Sequence, residues 1–302
     1  MTDRHLLYLL ILLLGFIATP AWGAERPLVV TSTHPLALIV KEVAGDQADV
    51  QALVPADISP HHYSMRPSER RSLAEADRIY WLGAGLEPFL QGTMSDSTLS
   101  GKARTLVEAS QSHSQDDDHG HHHGTGEDPH VWLSPERALA MAQRARDTLG
   151  ELDGVDGQAI ERNYERFEAR VDETGERIRA QLEPLQVITL FTYHDAFHYF
   201  ADHFGLTIAG TLTSNPERSP SARHIAGLQQ SLEEARFPCI MTETQLGGDW
   251  WRGLDVPQPL AVSRWDPIGG DIPVEVGGYT AFLDSLANAV SRCRPEQPSK
   301  EK

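Results

Sequence analysis

The amino-acid sequence predicts an α/β protein with two lobes, each a mostly parallel sheet flanked by helices, joined by one long connecting helix. Short β-rich runs alternate with helical patterns in the first half of the 302-residue chain, and the alternation returns in the second half. A long charged stretch with a single apolar stripe lies between the halves. Strands that alternate with helices favour parallel sheets covered by helices, and this length suffices for a sizeable core in each lobe.

The first half follows a β-α-β-α order. The predicted strands are residues 28–32, 50–54, 78–82 and 104–108, and the predicted helices are 35–44 and 68–76. Residues 111–128 interrupt this order because they hold five His, four Asp and one Glu, with Gly and Ser between them and no apolar periodicity. This composition predicts a mobile surface loop. Beyond it, Ser134-Pro135 predicts the start of a helix that ends near residue 149.

A long charged helix is predicted at residues 158–185. Apolar side chains recur there at spacings of three, four or seven, which places them on one helix face: Tyr164, Phe167, Val171, Ile178 and Leu182. We interpret this helix as the connection between the two halves. The second half repeats the alternation, with predicted strands at 187–192, 206–211, 239–243 and 260–264 and predicted helices at 196–204, 221–235 and 279–290.

The first 23 residues differ from the rest of the chain. Residues 6–17 are an almost unbroken apolar run, and the small residues Ala21 and Gly23 fit the cleavage pattern of a secretory signal peptide. The run is shorter than the roughly 20 residues that span a bilayer, although an uncleaved membrane anchor is the alternative. We expect export and a mature chain that starts near Ala24. The expected domains are the signal peptide 1–23, the N-terminal lobe 24–150 with the His-rich loop 111–128, the connecting helix 151–185 and the C-terminal lobe 186–302.

The formal net charge of the chain is −17. An acidic surface repels phosphate backbones, which argues against a nucleic-acid partner. It attracts cations only weakly once salt screens it, and solubility alone is the simpler explanation for the charge.

Only two cysteines occur in the chain, Cys239 and Cys293. An even number of cysteines in an exported protein favours one disulfide, and two buried free thiols are the alternative. Such a disulfide closes a long loop within the C-terminal half and contributes about 4 kcal/mol in the chain-entropy model.

Four segments with chemically reactive residues lie where a predicted strand gives way to a loop. In parallel α/β sheets, ligands collect beyond the carboxyl ends of the strands. Three imidazoles and one carboxylate from these segments are therefore expected to meet in a cleft between the lobes. The segments are residues 59–64, 128–132, 191–195 and 265–270.

Three imidazoles with one carboxylate suit Zn²⁺. This ion accepts neutral imidazole nitrogen and prefers four ligands, with Zn–N distances of about 2.0–2.1 Å. Carboxylates and waters alone are more typical of Mg²⁺ or Ca²⁺ sites. The alternative is that each His is a surface or hydrogen-bonding residue, because the sequence has no His-Glu-x-x-His and no paired Cys.

The His-rich loop is a second indication of metal binding. Its imidazoles stand beside the acidic run 116–118, which together form a chelating tract: His119, His121, His122 and His123. A flexible tract loses conformational entropy when it binds, so we expect a weak collector of metal and not the tight site. A solvated linker with incidental metal affinity is the alternative.

These segments together resemble the metal-specific solute-binding proteins of ABC uptake systems, and most closely the periplasmic zinc receptors of the ZnuA type. The matching stretches occur in the family's order over nearly the whole mature chain. They are residues 59–68 (SPHHYSMRPS), 128–135 (DPHVWLSP), 194–197 (HDAF), 242–245 (TETQ) and 265–269 (WDPIG).

The resemblance implies two lobes joined by a rigid helix, with the metal held between them. It implies that His61, His130 and His194 are the zinc ligands, and that Asp266 occupies the position that supplies a carboxylate in manganese-binding relatives. Those relatives commonly have Glu where this chain has His194, so zinc is the expected ion. A C-terminal disulfide and a His tract are also features of zinc receptors in this family.

The sequence departs from the family pattern after the first ligand. That position is usually acidic in relatives, whereas His62 occupies it here. Neighbouring side chains of an extended segment point in opposite directions, so we assign the ligand role to His61. His198 and His203 lie on the helix that follows His194 and are expected to be structural or surface residues. The spacing of His198 from His194 keeps it open as a further candidate.

The leading hypothesis for function is a monomeric periplasmic receptor, not an enzyme, that captures Zn²⁺ and delivers it to the membrane permease of an ABC importer. A manganese or iron receptor is a variant of this hypothesis. An exported zinc hydrolase is the second hypothesis, with Glu243 as its candidate general base, although no nucleophile elbow or metalloprotease signature is present. A periplasmic zinc buffer, with the His tract as its functional part, is the third.

Overall fold

Two four-stranded parallel sheets form the framework of the protein. The computed structural model describes residues 25–58, 60, 63–84, 87–107, 128–213, 220–246, 250–254 and 260–294. The strands are β1 Leu28–Thr31, β2 Asp49–Ala52, β3 Arg78–Trp81, β4 Ala103–Thr105, β5 Thr189–Thr192, β6 Thr207–Thr211, β7 Pro238–Glu243 and β8 Ala261–Trp265. The helices are α1 His34–Ala44, α2 Pro67–Glu75, α3 Gln91–Met94, α4 Pro135–Leu149, α5 Gly157–Leu182, α6 His198–Phe204, α7 Ala222–Glu234 and α8 Gly278–Ser291.

The two sheets share one topology. The first has the strand order β2-β1-β3-β4 and the second β6-β5-β7-β8, and the strand pairs of both are parallel. The chain therefore reverses its direction of winding between β1 and β3, and again between β5 and β7. Ligands of open α/β sheets bind beyond the carboxyl ends of the strands at such a reversal. This arrangement confirms the predicted class of two parallel α/β lobes.

The observed elements agree with most predicted ones, with shifts at their ends. The connecting helix α5 begins at Gly157 and ends at Leu182, after which Glu183–Leu185 forms a 3₁₀ turn around Pro184. The predicted end at residue 185 lies three residues beyond the observed one, because apolar periodicity does not register where the hydrogen-bond pattern tightens. Pro88–Leu90 and α3 were not predicted, because they are too short to show a period.

Four helices pack together in a helical layer that joins the two halves of the chain. Helices α1 and α4 come from the first half and α8 from the second, and α5 contacts all three. The apolar stripe predicted on α5 is buried in this layer together with side chains of both lobes. Although α5 has 26 residues, its solvent face is charged. None of the helices in the described ranges has the length and apolarity that crossing a bilayer requires.

A buried carboxylate joins three of these helices. Glu42 on α1 forms an ion pair with Arg170 on α5, and its Oε1 accepts hydrogen bonds from the backbone N–H groups of Gly277 (2.9 Å) and Tyr279 (3.2 Å) at the start of α8. A carboxylate at a helix N-terminus satisfies free N–H groups and complements the helix dipole. Removing one partner of a buried ion pair costs several kcal/mol, so Glu42 fixes α8 against the first half of the chain.

The predicted disulfide is present. Cys239 on β7 is bonded to Cys293, with the two Cα atoms 5.7 Å apart and 54 residues of separation. Both residues are buried. The bond ties the segment that follows α8 to the central strand β7.

Glu87 is a buried carboxylate near the carboxyl end of β3. Its Oε2 accepts a 2.6 Å hydrogen bond from the backbone N–H of Leu82, and the residue is 3% exposed. Desolvation by burial raises the pKa of Glu87 to about 7, against smaller lowering contributions from hydrogen bonds with Ser32 and Leu82. The folded protein therefore binds more protons than the unfolded chain between the two pKa values.

We predict that Glu87 lowers the free energy of unfolding as pH rises from about 4.5 to about 7, by about 3 kcal/mol in total. Glu87→Gln keeps the shape of the side chain but removes this dependence. The stability of the variant relative to wild type should therefore increase between pH 5 and pH 8, measured by urea unfolding in a chelator. Glu75→Gln, an exposed carboxylate on α2, is the control for loss of one negative charge. A relative stability of Glu87→Gln that is the same at both pH values would contradict the prediction.

Candidate metal centre

His194 lies at the reversal point of the second sheet. It follows β5 by two residues, and the adjacent strand β7 ends at Glu243. The Nδ1 atom of His194 lies 2.7 Å from Glu243 Oε1, and the backbone N–H of His194 donates to the same oxygen at 3.3 Å. An ionised carboxylate only accepts hydrogen bonds. The Nδ1 atom of His194 therefore carries the proton, and its Nε2 is directed away from Glu243.

His130 approaches the same place from the first lobe. It precedes the 3₁₀ turn Val131–Leu133 that leads into α4. Its Nδ1 lies 2.6 Å from Asp128 Oδ1, and its backbone N–H donates to this oxygen at 3.0 Å. Trp132, two residues on, donates its indole N–H to the carbonyl of Pro267 in the second lobe at 2.8 Å. The His130 segment is thus attached to both lobes.

The two imidazoles meet through their Nε2 atoms, which lie 3.3 Å apart. Two nitrogens bound to one tetrahedral Zn²⁺ at the usual bond length are about 3.3–3.4 Å apart, the edge of the coordination tetrahedron. Both rings are nearly buried, at 5% and 6% exposure. The pair therefore has the separation and the tautomers that one zinc ion requires.

A small cavity adjoins the two rings. Its volume is about 20 Å³, which is room for a single water or ion. The lining residues Glu243 and Gln245 each have a buried side-chain oxygen, Oε2 and Oε1 respectively, that has no hydrogen-bond donor among the described residues. Buried acceptor oxygens of this kind disfavour an anion in the cavity. The lining residues are Pro60, His130, His194, Glu243, Gln245, Leu246, Pro267 and Ile268.

The third expected ligand, His61, lies outside the described residues, as does His62. Pro60, the residue before His61, lines the cavity. Within the described ranges no three side chains of His, Cys, Asp or Glu are grouped so that they could hold a metal ion. A third ligand must come from another part of the chain or from solvent.

Asp266 lies near the cavity, but its carboxylate is engaged within its own loop. Oδ1 accepts from the Gln245 side chain (2.7 Å) and from the Ile268 N–H (2.9 Å), and Oδ2 accepts from the Gly270 N–H (2.8 Å). These bonds shape the loop that approaches the first lobe. A Cβ atom at Gly270 would lie 2.8 Å from the carbonyl oxygen of Ala56, so only glycine permits this approach.

The two His residues on α6 differ from the central pair. His198 Nε2 lies 2.6 Å from Asp195 Oδ1. This hydrogen bond raises the pKa of His198 by more than desolvation lowers it. His203 lies 3.6 Å from Glu136, and burial lowers its pKa. Neither residue lines the cavity. The expected metal-capturing residues His119, His121, His122 and His123 lie outside the described residues.

The carboxylates that hold the two imidazoles were not predicted from the sequence. The contact of Asp128 with His130 could have been predicted, because Asp128 stands two residues before His130. An Asp side chain at that position can reach the backbone N–H and the ring of the His. Glu243 is 49 residues from its partner, and only the pairing of β5 with β7 brings the two together. Gln245 was also missed as a contact of Asp266.

Two parallel α/β lobes with a small cavity lined by paired imidazoles define a metal-specific solute-binding receptor. Residues 29–293 match the family model described as zinc-uptake complex component A, periplasmic, and the chain belongs to this family. The chain is 29% identical over 287 residues to the high-affinity zinc uptake system protein ZnuA of Yersinia pestis, covering 88% of this chain and 90% of the relative. It is 27% identical to ZnuA of Haemophilus ducreyi, with 88% and 92% coverage.

Solved structures agree on the fold. A crystal structure of a ZnuA deletion mutant with zinc bound superimposes with a TM-score of 0.75 at 22% identity, covering 91% of this chain and 100% of the other. FpvC from Pseudomonas aeruginosa in complex with Mn²⁺ superimposes with a TM-score of 0.72 at 19% identity, covering 89% and 98%. At these identities the likeness concerns the fold alone.

We predict that His130→Ala and His194→Ala each weaken zinc binding by at least one order of magnitude, because loss of one ligand leaves the ion with an additional water in place of an imidazole. Calorimetry or competition with a chromophoric chelator measures the affinity. His224→Ala is the matched control, because the imidazole of His224 contacts the carbonyls of Thr211 and Leu212 and does not line the cavity. Equal effects of all three substitutions would contradict the assignment.

Proposed function

We propose that this protein captures Zn²⁺ in the periplasm and delivers it to the permease of an ABC uptake transporter. The observation that carries the proposal is the pair of Nε2 atoms, 3.3 Å apart, contributed by two different lobes. Membership of the zinc-uptake family supports the same ion and compartment. Family membership also favours a receptor over an enzyme, since the family's component binds solute for transport.

The proposed ligand set is His61, His130 and His194, with water as the fourth ligand. His61 follows Pro60, which lines the cavity. Asp266 has hydrogen bonds at both oxygens, and ligation of a metal would require it to exchange at least one of them. These bonds favour water over Asp266 in the fourth position.

Zinc is the proposed cargo in preference to manganese or iron. A fold neighbour holds Mn²⁺, so the selectivity must arise from the ligands and not from the lobes. Imidazole suits Zn²⁺, whereas carboxylate and carbonyl oxygens suit Mn²⁺. In this chain both described residues of the site present nitrogen, and the nearest carboxylates contact their Nδ1 atoms.

Hydrolysis is disfavoured by the position of Glu243. A general base for a zinc hydrolase must reach the metal-bound water. Glu243 Oε1 is instead held by two contacts with His194. The cavity of about 20 Å³ also lacks room for an organic substrate beside the ion.

The proposed route to the periplasm uses residues 1–23 as a signal peptide cleaved near Gly23, and the proposed domain division is the one derived from the sequence. We also propose that the mature protein acts as a monomer. Mass spectrometry of the exported protein should give a mature N-terminus at or next to Ala24. An intact N-terminal segment on the exported protein would contradict this processing.

The His tract is proposed as an accessory collector. Deletion of residues 111–127, which retains Asp128 beside His130, should leave one tight Zn²⁺ site per chain and remove only weaker sites, because the described cavity residues lie outside the deleted segment. Calorimetric titration of the deleted protein measures the stoichiometry. If no tight site survives the deletion, the protein is a buffer built on the tract, and the interlobe site is wrong.

A further inference from the structure

We propose that Glu243 is a positioning residue of the zinc site, which fixes the ring of His194 and increases its strength as a ligand. This inference rests on the proposed zinc-binding function. Glu243 was considered from the sequence as a general base, but its contacts assign it a different role. It acts on the metal through His194 and does not touch the metal itself.

The geometry of Glu243 restrains the imidazole at two points. One oxygen, Oε1, receives both the backbone N–H and the Nδ1 of His194. The main chain of Glu243 is itself fixed, because Glu243 is the last residue of β7. On one side of β7, Glu243 pairs with Trp265 of β8. On the other side, Met241 pairs with Thr192 of β5. The carboxylate therefore holds the ring of His194 in a fixed position relative to the sheet.

The two nitrogens of an imidazole point to opposite sides of the ring. A carboxylate at Nδ1 is therefore behind the ring as seen from an ion at Nε2, and in this conformation it cannot be a ligand. Its contribution is to select the tautomer in which Nδ1 carries the proton and Nε2 does not, and to raise the basicity of Nε2. Loss of such a partner typically lowers metal affinity by about 10–100-fold.

The two carboxylates of the site differ in burial and in origin. The Glu243 side chain has no exposure, whereas that of Asp128 is 15% exposed. Asp128 is two residues from His130 in the sequence, whereas Glu243 is 49 residues from His194. Hydrogen bonds to charged groups are stronger where water is excluded. Glu243 should therefore contribute more to zinc affinity than Asp128 does.

The experiment compares Glu243→Gln and Glu243→Leu with Asp128→Asn in the protein with residues 111–127 deleted, a deletion that retains Asp128. The zinc dissociation constant should rise by about 10–100-fold for Glu243→Gln, by at least as much for Glu243→Leu, and by less for Asp128→Asn. Glu87→Gln is the control for loss of a buried carboxylate, since Glu87 accepts from the Leu82 N–H and does not line the cavity. It should leave the zinc affinity close to that of the wild type.

A spectroscopic measurement separates positioning from general stability. In the zinc-loaded wild type, the Nδ1–H proton of His194 should give a slowly exchanging, downfield ¹H resonance coupled to ¹⁵N, and this resonance should be lost or shifted upfield in Glu243→Leu. If Glu243→Leu does not fold, Glu243→Gln decides on affinity alone. Wild-type affinity in Glu243→Gln, or a loss no larger than that of Glu87→Gln, would overturn the inference. His194→Ala in the same series reports on the zinc site itself, because its failure to weaken binding would refute the proposed function as well.

Discussion

The whole arrangement depends on one constraint. Two imidazoles from different lobes must hold their Nε2 atoms at the distance that separates two ligands of one tetrahedral zinc ion. At 3.3 Å the separation already matches a tetrahedral zinc ion. Each ring is held from behind by a carboxylate, so neither depends on the ion for its orientation. Ligands that are already placed lose little conformational entropy when metal binds. This preorganisation explains how a site made of distant chain segments can bind tightly.

Such a separation requires the lobes themselves to be fixed, and the helical layer supplies contacts that do so. Glu42 of α1 holds the start of α8, and the hydroxyl of Tyr279 on α8 donates to the carbonyl of Trp132 at 2.8 Å. The indole of Trp132 in turn donates to Pro267, on the wall of the cavity. Buried polar groups with satisfied hydrogen bonds specify one arrangement of a core. A connected path of contacts thus leads from the connecting helix to the wall of the cavity.

Sequence alone was sufficient for the two-lobed fold, because regular alternation of strands and helices is a strong local signal. It also placed His130 and His194 at the ends of elements, and the structure brings these two together. The sequence could not predict side-chain contacts that form only when the strands pair. Glu243 becomes a partner of His194 through the β5–β7 register, and Asp266 is engaged by Gln245 from the neighbouring strand end. Helix ends such as that at Leu182 were misplaced because a 3₁₀ turn continues the helical pattern.

The most direct measurement is zinc K-edge X-ray absorption on the protein without residues 111–127, loaded with one equivalent of Zn²⁺. We predict four nitrogen or oxygen ligands at about 2.0–2.1 Å, with the multiple-scattering signature of three imidazoles that falls to two in His194→Ala. A first shell of oxygens without imidazole scattering, or a spectrum unchanged by that substitution, would contradict it.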